Sequence, residues 1–532
     1  MSVTIQFCGA TRTVTGSCYL LKTSAGSFLV DCGLFQGPKT LKELNYRAFP
    51  FRAAAIDAVL LTHAHIDHSG LLPKLVREGF KGPILATRGS RDLCSYMLPD
   101  AGSIQESEVL ALNRRNAARG RGEVEPIYTQ ADAVASLAGF RPVDYESWVE
   151  VIPGVRARFW NAGHLLGSAS IEIECAGEGA RGAPLRLLAS GDIGPDAKLL
   201  QPDPEAPAGF DYVLCESTYG DRERPPITPE QRRVRLAEEV RAAAERRGAL
   251  LIPAFAVERT QELIVDLIEL MEQGEVPTAP VFLDSPLAIR ATEVFRKHAA
   301  DLDGGVDVDR LLNSAQLRFT ETVDESKAIA KLNGFHIIIA ASGMCDAGRI
   351  RHHLKRWLCR RNGTVLLVGF QAHGTLGRFL AEGASAVRIQ GEEIKVAANI
   401  RQIDDYSGHA DAGELTRWIA ARRPIGRGLF LLHGEEAAIS ALQGRVAETL
   451  VPAAKLFAPL LDDIYDLSPA VPTVMDGAHR RRLAPEAVVQ LDWHNEMSKL
   501  ILDISAQLDA AADDRARGVI IRRLRRALDN SG

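Results

Sequence analysis

An α/β fold with parallel strands under helices and a helical C-terminal tail is what this sequence predicts. Three observations carry the prediction. Short apolar runs of strand length repeatedly end in polar or glycine-bearing clusters, as at Ala58-Val59-Leu60-Leu61 before Thr62-His63-Ala64-His65. From about residue 230 to 390 such runs alternate with longer helical patterns, which implies a parallel sheet covered by helices. Past Pro472 the apolar residues Trp493, Met497, Leu500, Ile501, Ile504 and Leu508 keep a helical spacing.

Taken in order, Val3 to Phe7 alternates as a strand, Ser17 to Lys22 is a second run, and Ser27 to Val30 ends at Asp31-Cys32-Gly33. Ile56 to Leu61 reads as a buried strand, and a helical pattern follows the polar cluster at Leu71, Leu72, Leu75 and Val76. Ala157 to Trp160 runs into Asn161-Ala162-Gly163-His164, Leu185 to Leu188 into Ser190-Gly191-Asp192, and Tyr212 to Cys215 into Glu216-Ser217-Thr218-Tyr219-Gly220. Helices are expected over 229–246 and 258–273, with strands at Ala249–Pro253, Val281–Leu283, His336–Ala340 and Thr364–Gly369. Loops at strand ends converge on one rim in α/β proteins, so these punctuated ends are where chemistry is expected.

Composition excludes several classes. With 46% apolar and 25% charged residues the 532-residue chain is of ordinary globular type, long enough for three or four domain-sized units. The net charge of −5 supplies no global basic field for nucleic acid, although a local groove can still be basic. No stretch approaches about 18 uninterrupted apolar residues, so no membrane span is expected. The start, MSVTIQFCGA, lacks the pattern of a secretory signal. Eight cysteines are scattered without a CxxC pair, against a disulfide framework or a thiolate zinc site, and a reducing cytoplasmic location fits.

His63-Ala64-His65-Ile66-Asp67-His68 is the strongest local signal. Four potential ligands in six residues cannot all face one way on a regular element, but a turn after a strand can splay them around two adjacent ions. Imidazoles and a carboxylate suit zinc. A polar helix cap with solvated histidines is the bland reading, and the density of histidine in a chain holding only 13 weighs against it.

This cluster resembles the HxHxDH signature of the metallo-β-lactamase fold, and later residues continue the likeness in order. Asp31 looks like that family's early aspartate, which orients ligands. His164 and Asp192 look like its third histidine and bridging aspartate. Glu216 to Gly220, Tyr406-Ser407-Gly408-His409-Ala410-Asp411 and Leu431-Leu432-His433-Gly434-Glu435 then resemble motifs A, B and C of the β-CASP nucleases. The resemblance covers roughly residues 1 to 465. It implies an αββα metallo-β-lactamase sandwich with an inserted, helix-covered parallel-sheet β-CASP domain. The divisions expected are 1–212 and 392–465 for the sandwich, 213–391 for the insert, and 466–532 for a helical extension.

By the same likeness, one zinc lies with His63, His65 and His164 and the other with Asp67, His68 and His433, with Asp192 between them. Two Zn²⁺ per chain are implied, with Mn²⁺ an alternative. His409 would be the general acid and Glu216 the carboxylate that holds it, since a leaving alkoxide must be protonated. Asp31 and Asp67 complete the catalytic set. Ser342, Gly343 and Met344 follow an apolar strand and look like the family's phosphate-gripping loop. Ser217, Arg259 and Arg378 are further candidate substrate contacts. His373 is assigned no role, and His298, His352 and His353 read as surface residues.

The activity implied is a zinc-dependent ribonuclease on single-stranded RNA, because metals buried under a roof cannot reach inside a duplex. Asp31 to Gly37 and Glu216 to Tyr219 look closer to the endonuclease of eukaryotic messenger 3′-end cleavage and its bacterial relatives than to RNase J, so endonucleolytic cleavage is expected. The competing readings are an RNase J-like 5′ exonuclease, a DNA-processing member and a catalytically silent RNA-binding scaffold. All the presumed ligands are present, which argues against the last. In the tail, residues 485–511 and Val519 to Leu528 are expected as amphipathic helices; their apolar stripes suit packing on the body or on a second subunit, and Arg522, Arg523, Arg525 and Arg526 offer an alternative path for RNA.

Overall fold

Two mixed sheets face one another in the computed structural model, and a third, wholly parallel sheet is inserted between the strands of the second. The structure describes residues 3–475 apart from 180–181, 226, 303–306, 370, 372–373 and 469, together with 482–483, 500, 504, 507–508 and 513–529. The first sheet runs in space as Thr473–Val474, Ile464–Asp466, Thr4–Phe7, Tyr19–Lys22, Ser27–Val30, Ala58–Leu60, Ile84–Thr87 and Phe140–Val143. The second runs as Leu456–Phe457, Ile425–Leu432, Phe210–Glu216, Leu185–Ala189, Ala169–Cys175, Val155–Asn161 and Val149–Ile152.

Alternation decides which residues meet between these sheets. Ile5, Phe7, Phe28 and Val30 from the first pack on Phe159, Ile171, Leu214 and Phe430 from the second. The Phe7 ring lies 5.1 Å from Phe430 and 5.7 Å from Tyr465. Outside the second sheet, helices Ala412–Ala421 and Glu436–Val446 bury Leu415, Ile419, Ile439 and Leu442 against Val213 and Leu431. Outside the first, Leu72, Leu75, Leu93 and Leu98 do the same against Leu29 and Val59. The layers are therefore helix, sheet, sheet, helix, as expected.

The inserted sheet has the order Leu317–Phe319, Val281–Leu283, His336–Ala340, Ala249–Pro253, Thr364–Leu367, Asn399–Gln402. Its pairings are all parallel. Ile337, Ile338 and Ile339 are each fully buried, which is why this strand reads as an unbroken apolar run.

Several expectations need correction. A division at 212/213 cuts the strand Phe210–Glu216, whose Glu216 end pairs with Leu432 in the sandwich. A division at 391/392 cuts the hairpin Ala386–Ile389 with Glu392–Lys395, and Asn399–Gln402 still belongs to the inserted sheet. The 30-residue helix Arg88–Ala117 was not expected. Its second half buries only Val109, exposes Ile104 and Leu110, and Pro99 lies inside it, so no apolar stripe announces it. His298 and His353 are buried: His298 meets Asp92 at 2.9 Å and Asp301 at 2.8 Å, and His353 meets Asp284 at 2.6 Å. In both cases a carboxylate distant in sequence supplies the partner that makes burial tolerable.

In the tail, the expected helix over 485–511 lies outside the described residues except at 500, 504 and 507–508. The second runs Asp514–Asp529, and Val519 and Ile521 on it are exposed. No helix among the described residues is long and apolar enough to cross a membrane. Seven of the eight cysteines are buried and all are free.

Candidate metal centre and its acid

Strand direction assembles the site. Val155–Asn161, Leu185–Ala189, Phe210–Glu216 and Ile425–Leu432 all point the same way through their ladder. Their C-terminal ends therefore deliver His164, Asp192, Glu216 and His433 to one rim. Across the sandwich, Ala58–Leu60 delivers the turn that carries His63 to His68.

At that rim the ring nitrogens converge. His65 Nδ1 lies 3.2 Å from His63 Nε2 and 3.1 Å from His164 Nε2. Asp192 Oδ2 is 3.6 Å from His63 Nε2 and 3.7 Å from His164 Nε2. Beside them His68 Nε2 lies 3.2 Å from His433 Nε2 and 3.3 Å from Asp192 Oδ1, and Asp67 Oδ2 is 3.7 Å from His433 Nε2. A tetrahedral ion with bonds of about 2.0–2.1 Å separates its ligand atoms by about 3.3–3.4 Å, close to these spacings. Asp192 Oδ1 is buried without a hydrogen bond, as suits an oxygen that faces a cation. The donor set, His63, His65, His164 and Asp192 in one group and Asp67, His68 and His433 in a second beside it, fits divalent metal.

Four of the five imidazoles are aimed by the other nitrogen. His68 Nδ1 meets Asp31 Oδ2 at 2.7 Å, and His164 Nδ1 donates to the Gly408 carbonyl at 2.6 Å. His63 Nδ1 meets Thr62 Oγ1 and His433 Nδ1 meets Thr218 Oγ1, both at 3.1 Å. Such partners fix the ring and raise its basicity as a ligand. Asp31 does this for several groups at once, accepting from Ser17 Oγ at 2.9 Å and from Thr62 N at 2.8 Å. Its φ of +61° is a strained setting for a non-glycine residue, and these bonds hold it there.

Burial sets the charge states. It holds His63 and His164 well below the ordinary histidine value, with help from His68 and His409 respectively, and pushes His65 down to about 4. Burial alone would raise the Asp192 carboxyl, but His433 and His68 outweigh it and hold it well below the usual range. His63, His65 and His164 are thus the neutral imidazoles that ligate cations. Burial would also lower His68 and His433, but Asp192 with Asp31 holds the first well above the ordinary value and Asp192 with Asp67 raises the second. A cation would displace their protons on binding.

His409 and Glu216, 193 residues apart, meet at 3.2 Å between Nδ1 and Oε1. Glu216 is held by Ile193 N at 2.6 Å and Thr218 N at 3.2 Å. The His409 ring lies tilted against that of His164, 4.7 Å between centroids, and stays partly exposed to solvent. Arg224 reaches the His409 carbonyl at 2.6 Å. Thr62, Thr218 and Arg224 were not foreseen; the first two directly precede or follow named site residues, and nothing local marks the third.

The expected substrate contacts divide. Arg259 is drawn into the roof, with Nε on the Tyr406 carbonyl at 2.7 Å and its guanidinium against the Phe255 ring and Gly369. A side chain on Gly369 would meet that guanidinium at 3.1 Å. Ser342 N turns inward to Ala347 O at 3.4 Å, while Gln371 holds the Gly343 carbonyl at 3.0 Å and Gly377 N holds that of Met344 at 3.0 Å. The loop is thus braced from behind. Ser217 is buried with its hydroxyl unpartnered, next to His433 through a 3.2 Å backbone bond. Arg378 pairs with Glu382 at 2.8 Å on the exposed side of its own helix, so the structure does not draw it into this group.

Comparison with known proteins agrees with this assembly. Residues 11–247 match the metallo-β-lactamase superfamily, 260–380 the Beta-Casp domain, and 393–453 the Zn-dependent metallo-hydrolase RNA specificity domain. Ribonuclease TTHA0252 of Thermus thermophilus is 37% identical over 440 residues, covering 82% of this chain and 94% of its own. Transcription termination factor FttA of Methanosarcina mazei is 29% identical over 465 residues, covering 84% and 69%. That of Thermococcus kodakarensis is 30% identical over 450 residues, covering 80% and 66%. With its three matched segments in order and a relative 37% identical over most of both chains, this chain belongs to the β-CASP family of the metallo-β-lactamase superfamily, and it is a metal-dependent hydrolase.

Proposed function

We propose that this hydrolase is a ribonuclease that cuts single-stranded RNA internally, with two zinc ions held by His63, His65, His164, Asp67, His68, His433 and the shared Asp192. The observation that carries the reading is the His409–Glu216 contact at the edge of the ligand cluster, with His409 Nδ1 only 3.9 Å from Asp192 Oδ2. A hydrolase of stable phosphodiesters needs an acid for the leaving oxygen beside its cations. When bound, the two ions would acidify a water and counter the negative charge that grows on the phosphate.

The chain's own residues supply the rest. Glu216 accepts from His409 Nδ1, which fixes the tautomer and leaves Nε2 to hand a proton to the departing ribose oxygen. Asp31 and Thr218 keep His68 and His433 aimed. Arg259 and the Ser342–Met344 loop border the roof under which a flexible strand would lie. The RNA-specificity match and the ribonuclease and transcription-termination names of the relatives support RNA as the substrate.

The test is cleavage of a long RNA labelled at its 5′ end, with a 5′-triphosphate or a 5′-hydroxyl. Internal fragments that do not depend on the 5′ group are expected. Release of mononucleotides from a 5′-monophosphate end alone would replace this reading with the exonuclease, and absence of any cleavage by metal-loaded protein would refute the ribonuclease.

A further inference from the structure

One buried ion pair joins the roof to the metal centre, and its acid sits on a backbone conformation that a glutamate resists. Glu258 has φ +71° and ψ −71°, and Arg259 N bonds back to Val257 O at 3.0 Å. This is the rare, strained form of the γ-turn. Glycine would take it without penalty, whereas other residues hold it only where their surroundings over-determine it. What over-determines it is the carboxylate. Glu258 Oε2 accepts from Leu166 N at 3.1 Å and from Gln201 Nε2 at 3.1 Å, and Oε1 lies 3.3 Å from Lys198 Nζ.

All three partners belong to the sandwich, while Glu258 opens the helix Arg259–Glu272 of the insert. Lys198 in turn donates to the main-chain carbonyl of His164 at 2.7 Å. Glu258 and Lys198 are both at least nine-tenths buried. The His164 loop is therefore gripped from the roof at two places, its Leu166 N–H directly and its His164 carbonyl through Lys198. On the other flank Arg259, the next residue, holds the Tyr406 carbonyl three residues before His409.

We propose that Glu258 and Lys198 are positioning residues, a latch that makes retention of the ion at His63, His65 and His164 depend on the roof being seated. The latch acts only through the main chain of His164 and touches no reacting atom. It rests on the reading of His164 as a metal ligand. With the roof seated, both His164 carbonyl and Leu166 N–H are fixed and Nε2 stays with its partners. When the insert lifts, the carboxylate leaves, Lys198 loses its counter-charge, and the histidine loop is free to shift.

Strain separates this role from a merely structural one. Glu258→Gly relieves the backbone while deleting the carboxylate, and Lys198→Met deletes the bond to His164 while keeping the buried stem. The double variant leaves no unpaired buried charge. Protein loaded with zinc would be mixed with a chromophoric chelator, and release timed alongside melting temperature and the kcat and KM of RNA cleavage. Both single variants and the double variant are expected to release one of two zinc ions about 10–100-fold faster, the factor by which removing partners behind metal ligands weakens metal affinity. The double variant should melt near wild type, with kcat lowered and KM little changed, and Glu258→Gln should recover part of the retention because it still accepts from Leu166 N. Release at the wild-type rate in the double variant overturns the latch while leaving the metal centre intact. A wild-type chain that takes up no zinc overturns both.

Discussion

Replacing His409 by alanine tests the division of labour at this site most sharply. The ring lies 3.2 Å from Glu216 and 3.9 Å from Asp192 Oδ2, and it stands outside the two ligand groups. Removing it takes away the proton donor and leaves every presumed ligand with its own partner, including His164 Nδ1 on Gly408 O. General acids contribute about 10²–10⁴-fold, so the single-turnover rate should fall by that factor, about 2.7–5.4 kcal/mol of barrier. Metal content by elemental analysis should stay near that of wild type. His433→Ala is the counterpart: its Nε2 faces His68 at 3.2 Å and Asp67 at 3.7 Å, so one ion should be lost together with activity. The assay is cleavage of end-labelled RNA under enzyme excess, with metal measured on the same samples. Equal metal loss in the two variants, or a rate for His409→Ala within threefold of wild type, would refute this separation of acid from ligand.

Four further outcomes are expected. Protein purified without chelator should carry about two divalent ions per chain, and stripping them should lower the melting temperature, which calorimetry would show. Asp31→Ala should weaken metal binding about 10–100-fold without removing a ligand, read by chelator competition, because His68 Nδ1 and Thr62 N lose their acceptor. Burial alone would raise the Asp284 carboxyl, but bonds from His353, Ser326, Arg349 and Thr320 hold it well below the usual range. A carboxyl depressed in the fold stabilises it above the unfolded value of about 3.9 and loses that contribution as pH falls below it; Asp284→Asn should therefore melt lower at pH 7, with the gap to wild type closing below about pH 4. Truncation after residue 512 should leave cleavage of a short RNA unchanged, whereas truncation after 475 should lower the melting temperature, since Arg482 grips Asp462 at 2.9 Å and Leu483 packs beside Phe35 and Leu461; light scattering on the shorter forms would report any change of assembly.

Local pattern in the chain was enough for the fold class and for the densest group of presumed metal ligands. Strand length, apolar runs and their polar ends are local properties, so Ser27–Val30, Ala249–Pro253 and His336–Ala340 lie where their patterns place them. His63 to His68 are legible because a turn needs no distant partner to crowd four donors together. His164, Asp192, Glu216, His409 and His433 were identified by their ordered likeness to a family. Only the sheet ladders bring four of them to one rim, and His409 reaches it on the loop before helix Ala412–Ala421. Whatever depends on distant charges and on pairing came from tertiary contact. Such contact sealed His353 against Asp284 and His298 against Asp92, where burial is offset by a carboxylate far along the chain. It kept Asn399–Gln402 in the inserted sheet, since parallel pairing leaves no mark on a strand's own residues. It also turned Arg259 inward and Arg378 outward, two arginines that look alike in sequence and differ in which carbonyls and carboxylates the fold sets within reach.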